Sequence, residues 1–125
     1  MDEVTFLVTT LQNEWATHVP KGLTSHQVTP TIIDIRTLNP LDFTSIEMSI
    51  KKTGKALIVY EDNLTNGPGA EISSLISDRC FEMLDGPIRR VASKDSHVPY
   101  NMYLEADVLP QVSDIEEALI ELLEY

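Results

Sequence analysis

Residues 67–110 read GPGAEISSLISDRCFEMLDGPIRRVASKDSHVPYNMYLEADVLP, a run that carries turn, helix, strand and loop chemistry in one order. Gly67-Pro68-Gly69 supplies the turn. From Gly69 to Leu84, the residues Ile72, Leu75, Ile76, Cys80, Met83 and Leu84 fall near one face at a spacing of about 3.6, which predicts a helix facing a core. Asp85-Gly86-Pro87 breaks that helix, and Ile88–Ala92 follows as a short strand. Asp95-Ser96-His97-Val98-Pro99-Tyr100 then reads as a loop clamped by Pro99, with Tyr100 buried.

Working outward, β-branched and aromatic runs of strand length stand at Val4–Thr9, Thr31–Arg36 and Lys55–Glu61. Helical patterns lie between them. Thr44-Ser45-Ile46-Glu47 has capping-box spacing, which predicts Thr44 as the N-cap, and Gly54 after Lys51-Lys52-Thr53 predicts the stop. Ser113-Asp114-Ile115-Glu116 repeats the capping box ahead of a helix that sets Ile115, Ala118, Leu119, Leu122 and Leu123 against a glutamate face. Leu11, Trp15 and Val19 predict a short or broken helix, because Pro20 and Gly22 interrupt it. Strand and helix alternate, so the fold class is α/β, with a parallel sheet covered on both faces in three layers and joined by right-handed crossovers.

The chain has 125 residues, 42% of them hydrophobic, and a mean hydropathy of −0.08. Those values predict one soluble domain over residues 1–125, without internal repeats. No apolar run approaches the ~20 residues of a membrane span. Met1-Asp2-Glu3-Val4 lacks the basic and apolar regions of a secretory signal. Twenty acidic residues against nine basic ones leave a formal charge of −11, which repels phosphate backbones and argues against nucleic-acid binding. A basic protein partner and a merely well-solvated surface both fit that charge. The single cysteine, Cys80, has no intrachain disulfide partner and reads as a core or half-buried thiol.

The order of elements from Gly67 to Pro110 resembles the carboxy-terminal domain of the beta chain of thiamine-diphosphate-dependent 2-oxo acid dehydrogenases. Ile32-Ile33-Asp34-Ile35-Arg36-Thr37-Leu38-Asn39-Pro40-Leu41-Asp42 resembles the same family's strand and R-T-L-x-P-L-D corner, at the spacing the family requires. The resemblance runs from about Asp2 to Tyr125 and is closest from Thr31 onward. It implies a transketolase C-terminal-like domain, whose five-stranded mixed sheet begins with an antiparallel strand that this sequence does not carry. The remaining four strands are then expected in the order 2-1-3-4, with Thr31–Arg36 at an open edge. Leu84-Asp85-Gly86-Pro87-Ile88-Arg89-Arg90-Val91 matches the pyruvate and branched-chain types better than a transketolase or a deoxyxylulose-phosphate synthase.

The resemblance also implies a role. In the parent enzyme this domain shapes the dimer interface, adjoins the catalytic domain and alpha chain, and docks the subunit-binding domain of the dihydrolipoyl acyltransferase. Asp85, which matches the family's L-D-x-P corner, and the terminal carboxylate of Tyr125 are the expected docking groups. Thiamine diphosphate and magnesium belong to the parent. Their G-D-G motif is not matched by Leu84-Asp85-Gly86-Pro87, so no cofactor is expected on this domain. The location implied is the cytoplasm of a bacterium, or the mitochondrial matrix or plastid of a eukaryote.

The expected strand order puts a switch point between the first and third strands, where ligands of open α/β sheets bind. Thr10, Glu61, Asp62, Gly67 and Gly69 would line that crevice, which makes a freestanding small-ligand-binding regulatory domain the alternative reading. Gly67-Pro68-Gly69 lacks the full G-x-G-x-x-G run, and its glycines read as permitting close helix-to-sheet packing and a positive φ rather than as a phosphate site. Many members of the family carry histidine at the position of Tyr60, and this departure bears on any active-site role for the end of that strand. A response-regulator reading fails, because Thr9 and Thr10 stand where clustered acids are needed. His18, His26 and His97 lack the spacing of metal ligands or of a Cys–His pair. No catalytic, cofactor-binding or metal-ligating set is therefore expected.

Overall fold

The computed structural model describes residues 4–8 and 30–125. Four strands, β1 (Thr5–Val8), β2 (Thr31–Asp34), β3 (Ala56–Asn63) and β4 (Arg89–Ser93), form a sheet in the order β2-β1-β3-β4. All three pairings are parallel, with Thr5 opposite both Thr31 and Ala56, and Leu57 opposite Arg89. The expected order holds, and β2 is an edge among the described strands. Parallel strands covered on both faces read as continuous apolar runs, and β3 is buried from Ala56 to Tyr60.

Side chains alternate across β3 and build two cores. Leu57 and Val59 join Val4 under α4 (Val112–Leu123), through Ile115, Leu119 and Leu122. Ala56, Ile58 and Tyr60 join Leu7 on the opposite face, beneath α1 (Phe43–Thr53) and α2 (Pro68–Cys80). The result is the expected three-layer α/β arrangement. Cys80 lies in the second core. Burial raises its thiol pKa, Glu47 adds to the rise and Arg79 opposes it, so the sulfur stays a protonated core group.

Boundaries shift in ways the local chemistry explains. Asp42, not Thr44, caps α1: its carboxylate accepts from the Ser45 amide at 3.2 Å and from the Ser45 hydroxyl at 2.5 Å. Gln111, not Ser113, caps α4, in a capping box whose Asp114 carboxylate accepts from the Gln111 amide at 2.8 Å. The expected stop holds, with Gly54 at φ 71° donating to the Ile50 carbonyl. The helix expected to reach Leu84 ends at Cys80 and tightens into a 3-10 turn over Phe81–Met83. β2 ends at Asp34 rather than Arg36, and a corner containing the cis Asn39-Pro40 bond follows.

Two corrections concern the segment after β4. Tyr100, expected to be buried, is fully exposed. Beyond it the chain forms a helix for which the sequence carries no apolar period, α3 (Met102–Val108), capped by Asn101 Oδ1. The expected helix near Leu11, Trp15 and Val19 falls outside the described residues.

Candidate functional site

The sheet direction separates the candidate residues into two groups. Glu61, Asp62, Gly67 and Gly69 gather at the carboxyl ends of the strands, whereas Asp85 and Tyr125 lie at the amino ends. Thr10, like His18 and His26, lies outside the described residues.

At the crevice end, the Tyr60 ring fills the space that the two glycines leave. A Cβ on Gly69 would stand 2.0 Å from Tyr60 Cε1, and one on Gly67 would stand 2.2 Å from the Asn63 carbonyl oxygen and 2.6 Å from Tyr60 Cε2. The first turn of α2 thus rests directly on an aromatic side chain. The Tyr60 hydroxyl donates to the Leu64 carbonyl at 3.2 Å, and Arg90 Nη1 donates to that hydroxyl at 3.2 Å and to the same carbonyl at 2.8 Å. This geometry supports the packing role of the glycines, and it names two residues, Tyr60 and Arg90, that the sequence reading did not place in the crevice.

Around this plug the loops are tied to one another. Ser93 Oγ donates to the Glu61 carbonyl, and the Leu64 amide donates to the Ser93 carbonyl at 3.0 Å. Asp95 accepts from the Thr65 hydroxyl at 2.5 Å and the Thr65 amide at 2.9 Å. The hydroxyl bond, followed by the amide bonds, holds the Asp95 pKa below the usual carboxylate value. Asp62 turns back to its neighbour, accepting from the Asn63 amide at 2.7 Å. Glu61 Oε1 is buried without a hydrogen-bond partner among the described residues, an arrangement that costs free energy. His97 is exposed on a groove that it shares with Asn63, Asp95, Ser96 and Val98.

At the other end, Asp85 folds against the α1 stop. Its amide donates to the Gly54 carbonyl at 2.8 Å, and a Cβ on Gly54 would meet its Oδ2 at 2.2 Å. Gly86 brings the corner against the chain end, with room for a Cβ only 3.3 Å from Tyr125 Cβ. Asp85 and Tyr125 are both exposed. Two basic residues enter the same region unannounced by any spacing. Lys55 is buried and donates to the Leu123 carbonyl at 3.5 Å, at the end of α4. Arg89 sits 6.0 Å from the Tyr125 ring centroid and 3.9 Å from Glu121 Oε2.

Among the described residues, no three His, Cys, Asp or Glu side chains come together in a way that could hold a metal. No helix among them is long and apolar enough to cross a membrane.

A parallel β2-β1-β3-β4 sheet with this corner defines a class as well as a shape. The chain belongs to the transketolase C-terminal domain family, whose model matches residues 1–115. Within that family its similarity is to beta chains of the pyruvate dehydrogenase type. It is 45% identical to the pyruvate dehydrogenase E1 component subunit beta of Cyanidium caldarium over 77% of this chain and 29% of that protein. To the subunit of the same name from Rickettsia bellii it is 34% identical, over 94% of this chain and 36% of the relative. The chain thus spans about a third of the length of these relatives. Among solved structures, the inactive beta4 tetramer of a split-gene transketolase matches 98% of this chain and 40% of its own, with a TM-score of 0.82 at 18% identity. That likeness bears on the fold.

Proposed function

We propose that this chain is the non-catalytic assembly domain of a pyruvate dehydrogenase-like beta subunit. In this reading it supports dimerisation and contact with the catalytic domain and alpha chain, and it docks the subunit-binding domain of a dihydrolipoyl acyltransferase. The main support is similarity along most of the chain to beta subunits. The meeting of the Asp85-Gly86 corner with Tyr125 adds to it. The exposed Asp85 carboxylate on a chain with formal charge −11 suits a basic partner, with the larger effect on association rate and salt dependence. Thiamine diphosphate and magnesium belong to the catalytic part of such an enzyme, and oxidative decarboxylation of a 2-oxo acid is the work of the whole assembly. The location follows that of the parent enzyme.

The test is to measure binding of the acyltransferase module to the native chain, to Asp85→Ala and to a chain extended by two residues beyond Tyr125. Weaker binding of both variants, with marked salt dependence in the native chain, is expected. Equal binding of all three would reject the docking site.

A second reading rests on Glu61, whose Oε1 is buried at the switch point without a partner among the described residues. It makes the chain a freestanding regulatory domain that takes a small ligand beside Glu61 and Asp62. A melt with thiamine diphosphate and magnesium, or with a phosphorylated metabolite, discriminates between the readings. A true ligand at about 100 times its Kd adds roughly 2.7 kcal/mol, and the assembly reading expects no shift.

A further inference from the structure

From Val98 to Leu104 the chain spends apolar side chains on solvent. Val98 is 52% exposed, Tyr100 109%, Met102 70%, Tyr103 78% and Leu104 54%, and α3 buries no residue. A helix that contributes nothing to its own core has no hydrophobic reason to form. Polar ties hold α3 instead. Asn101 Oδ1 accepts from the Tyr103 amide at 2.9 Å and the Leu104 amide at 3.4 Å, Gln111 Nε2 donates to the Ala106 carbonyl at 3.0 Å, and the Lys94 amide donates to the Val108 carbonyl at 3.1 Å. Such a fixed surface loses little freedom on binding. Tyrosine and methionine are also among the side chains enriched where proteins meet.

Charge selects the occupant. No lysine or arginine follows Lys94, and Asp95, Glu105 and Asp107 flank the apolar residues, with further acids along α4. A second copy would bring acid against acid. We propose that Val98–Leu104 docks a protein partner whose contact face is apolar at its centre and basic around it. The surface follows the carboxyl end of β4, opposite the Asp85 end, so the inference goes beyond the acyltransferase reading and does not depend on it.

The probe is a helix-forming peptide with leucines along one face and lysines along the other, together with a twin carrying glutamate for each lysine. With the native chain, the lysine peptide is expected to bind and to shift amide resonances centred on residues 98–107, with affinity falling as salt rises. The glutamate twin is expected not to bind. Tyr103→Ser combined with Leu104→Ser should weaken binding by about tenfold or more. These side chains are exposed, so the melting temperature should hold, and Tyr100→Ser, which lies outside α3, gives a second variant with the same expected direction. Asp85→Ala should bind the peptide as the native chain does, whatever happens at the acyltransferase site. Resonance shifts confined to the outer face of α4, or unchanged affinity in the serine variants, would overturn the proposal. So would a native dimer that Tyr103→Ser dissociates, because the occupant would then be a second copy.

Discussion

A methyl group at position 69 would stand 2.0 Å from the Tyr60 ring, and one at position 67 would stand 2.2 Å from a backbone carbonyl. A buried ring and a strand end cannot step aside as a surface side chain can. Gly69→Ala is therefore expected to cost about 1–3 kcal/mol in urea denaturation. Part of that loss should be relieved when Tyr60→Leu is added, with a coupling of roughly 0.5–3 kcal/mol. Strictly additive losses would mean that Gly69 serves something other than the ring. Asp95 yields a pH prediction. Its folded pKa lies below the ordinary value, so its contribution is fully present above roughly pH 4 and is lost as the pH falls from there through the lowered folded value. Thr65→Val should lower stability near neutrality and flatten that acid limb of a melting-temperature profile. An unchanged profile would count against the Thr65–Asp95 bond. The glycines and Tyr60 each stood out in the sequence, but the contact between them did not. The contact joins β3 to α2 across a loop, and no periodic pattern says which ring lies over which turn.

Both predicted helix starts were late by two residues, Thr44 for Asp42 and Ser113 for Gln111, and the cause is common to the two helices. A serine or threonine followed three residues later by glutamate reads the same at the cap and within the first turn. Only the hydrogen bonds of Asp42 and Gln111 separate the cases. Asp42→Ala is expected to lower the melting temperature, and the exposed Thr44→Ala to lower it by less than half as much, as read from thermal melts. Equal losses would restore the capping box at Thr44. The strands were legible from their β-branched runs, and their order from the family resemblance rather than from any period. α3 was not legible, because a helix with nothing to bury carries no apolar stripe. Its available signal was Asn101 ahead of Met102, and the exposure of Tyr100 has the same origin, a segment whose apolar side chains face away from this chain's own core.

Charge is distributed unevenly over the molecule as a whole. The chain carries −11, and its last helix holds Glu116, Glu117 and Glu121, with Glu124 at its C-cap and no basic residue in its final turn. That arrangement opposes the helix dipole, whose carboxyl end favours cations. Glu117 and Glu121 add a like-charge pair one turn apart. Lys55 at the Leu123 carbonyl and Arg89 near Glu121 offset part of this from outside the helix. A surface that repels itself in isolation is consistent with selection for a basic partner over stability of the free chain. Glu124→Lys should therefore stabilise the isolated chain by about 0.3–1 kcal/mol at low ionic strength, and Glu117→Lys, away from the helix end, by about 0.2–0.5 kcal/mol. Both gains should shrink as salt rises toward physiological strength, because exposed charges are screened over about 8 Å there. Melts of the native chain and the two variants at low and physiological salt provide the measurement. The native chain should itself gain stability with added salt. If neither variant is stabilised and the native melting temperature does not respond to salt, self-repulsion along α4 has no energetic weight, and the acidic face is a solvated surface without further consequence.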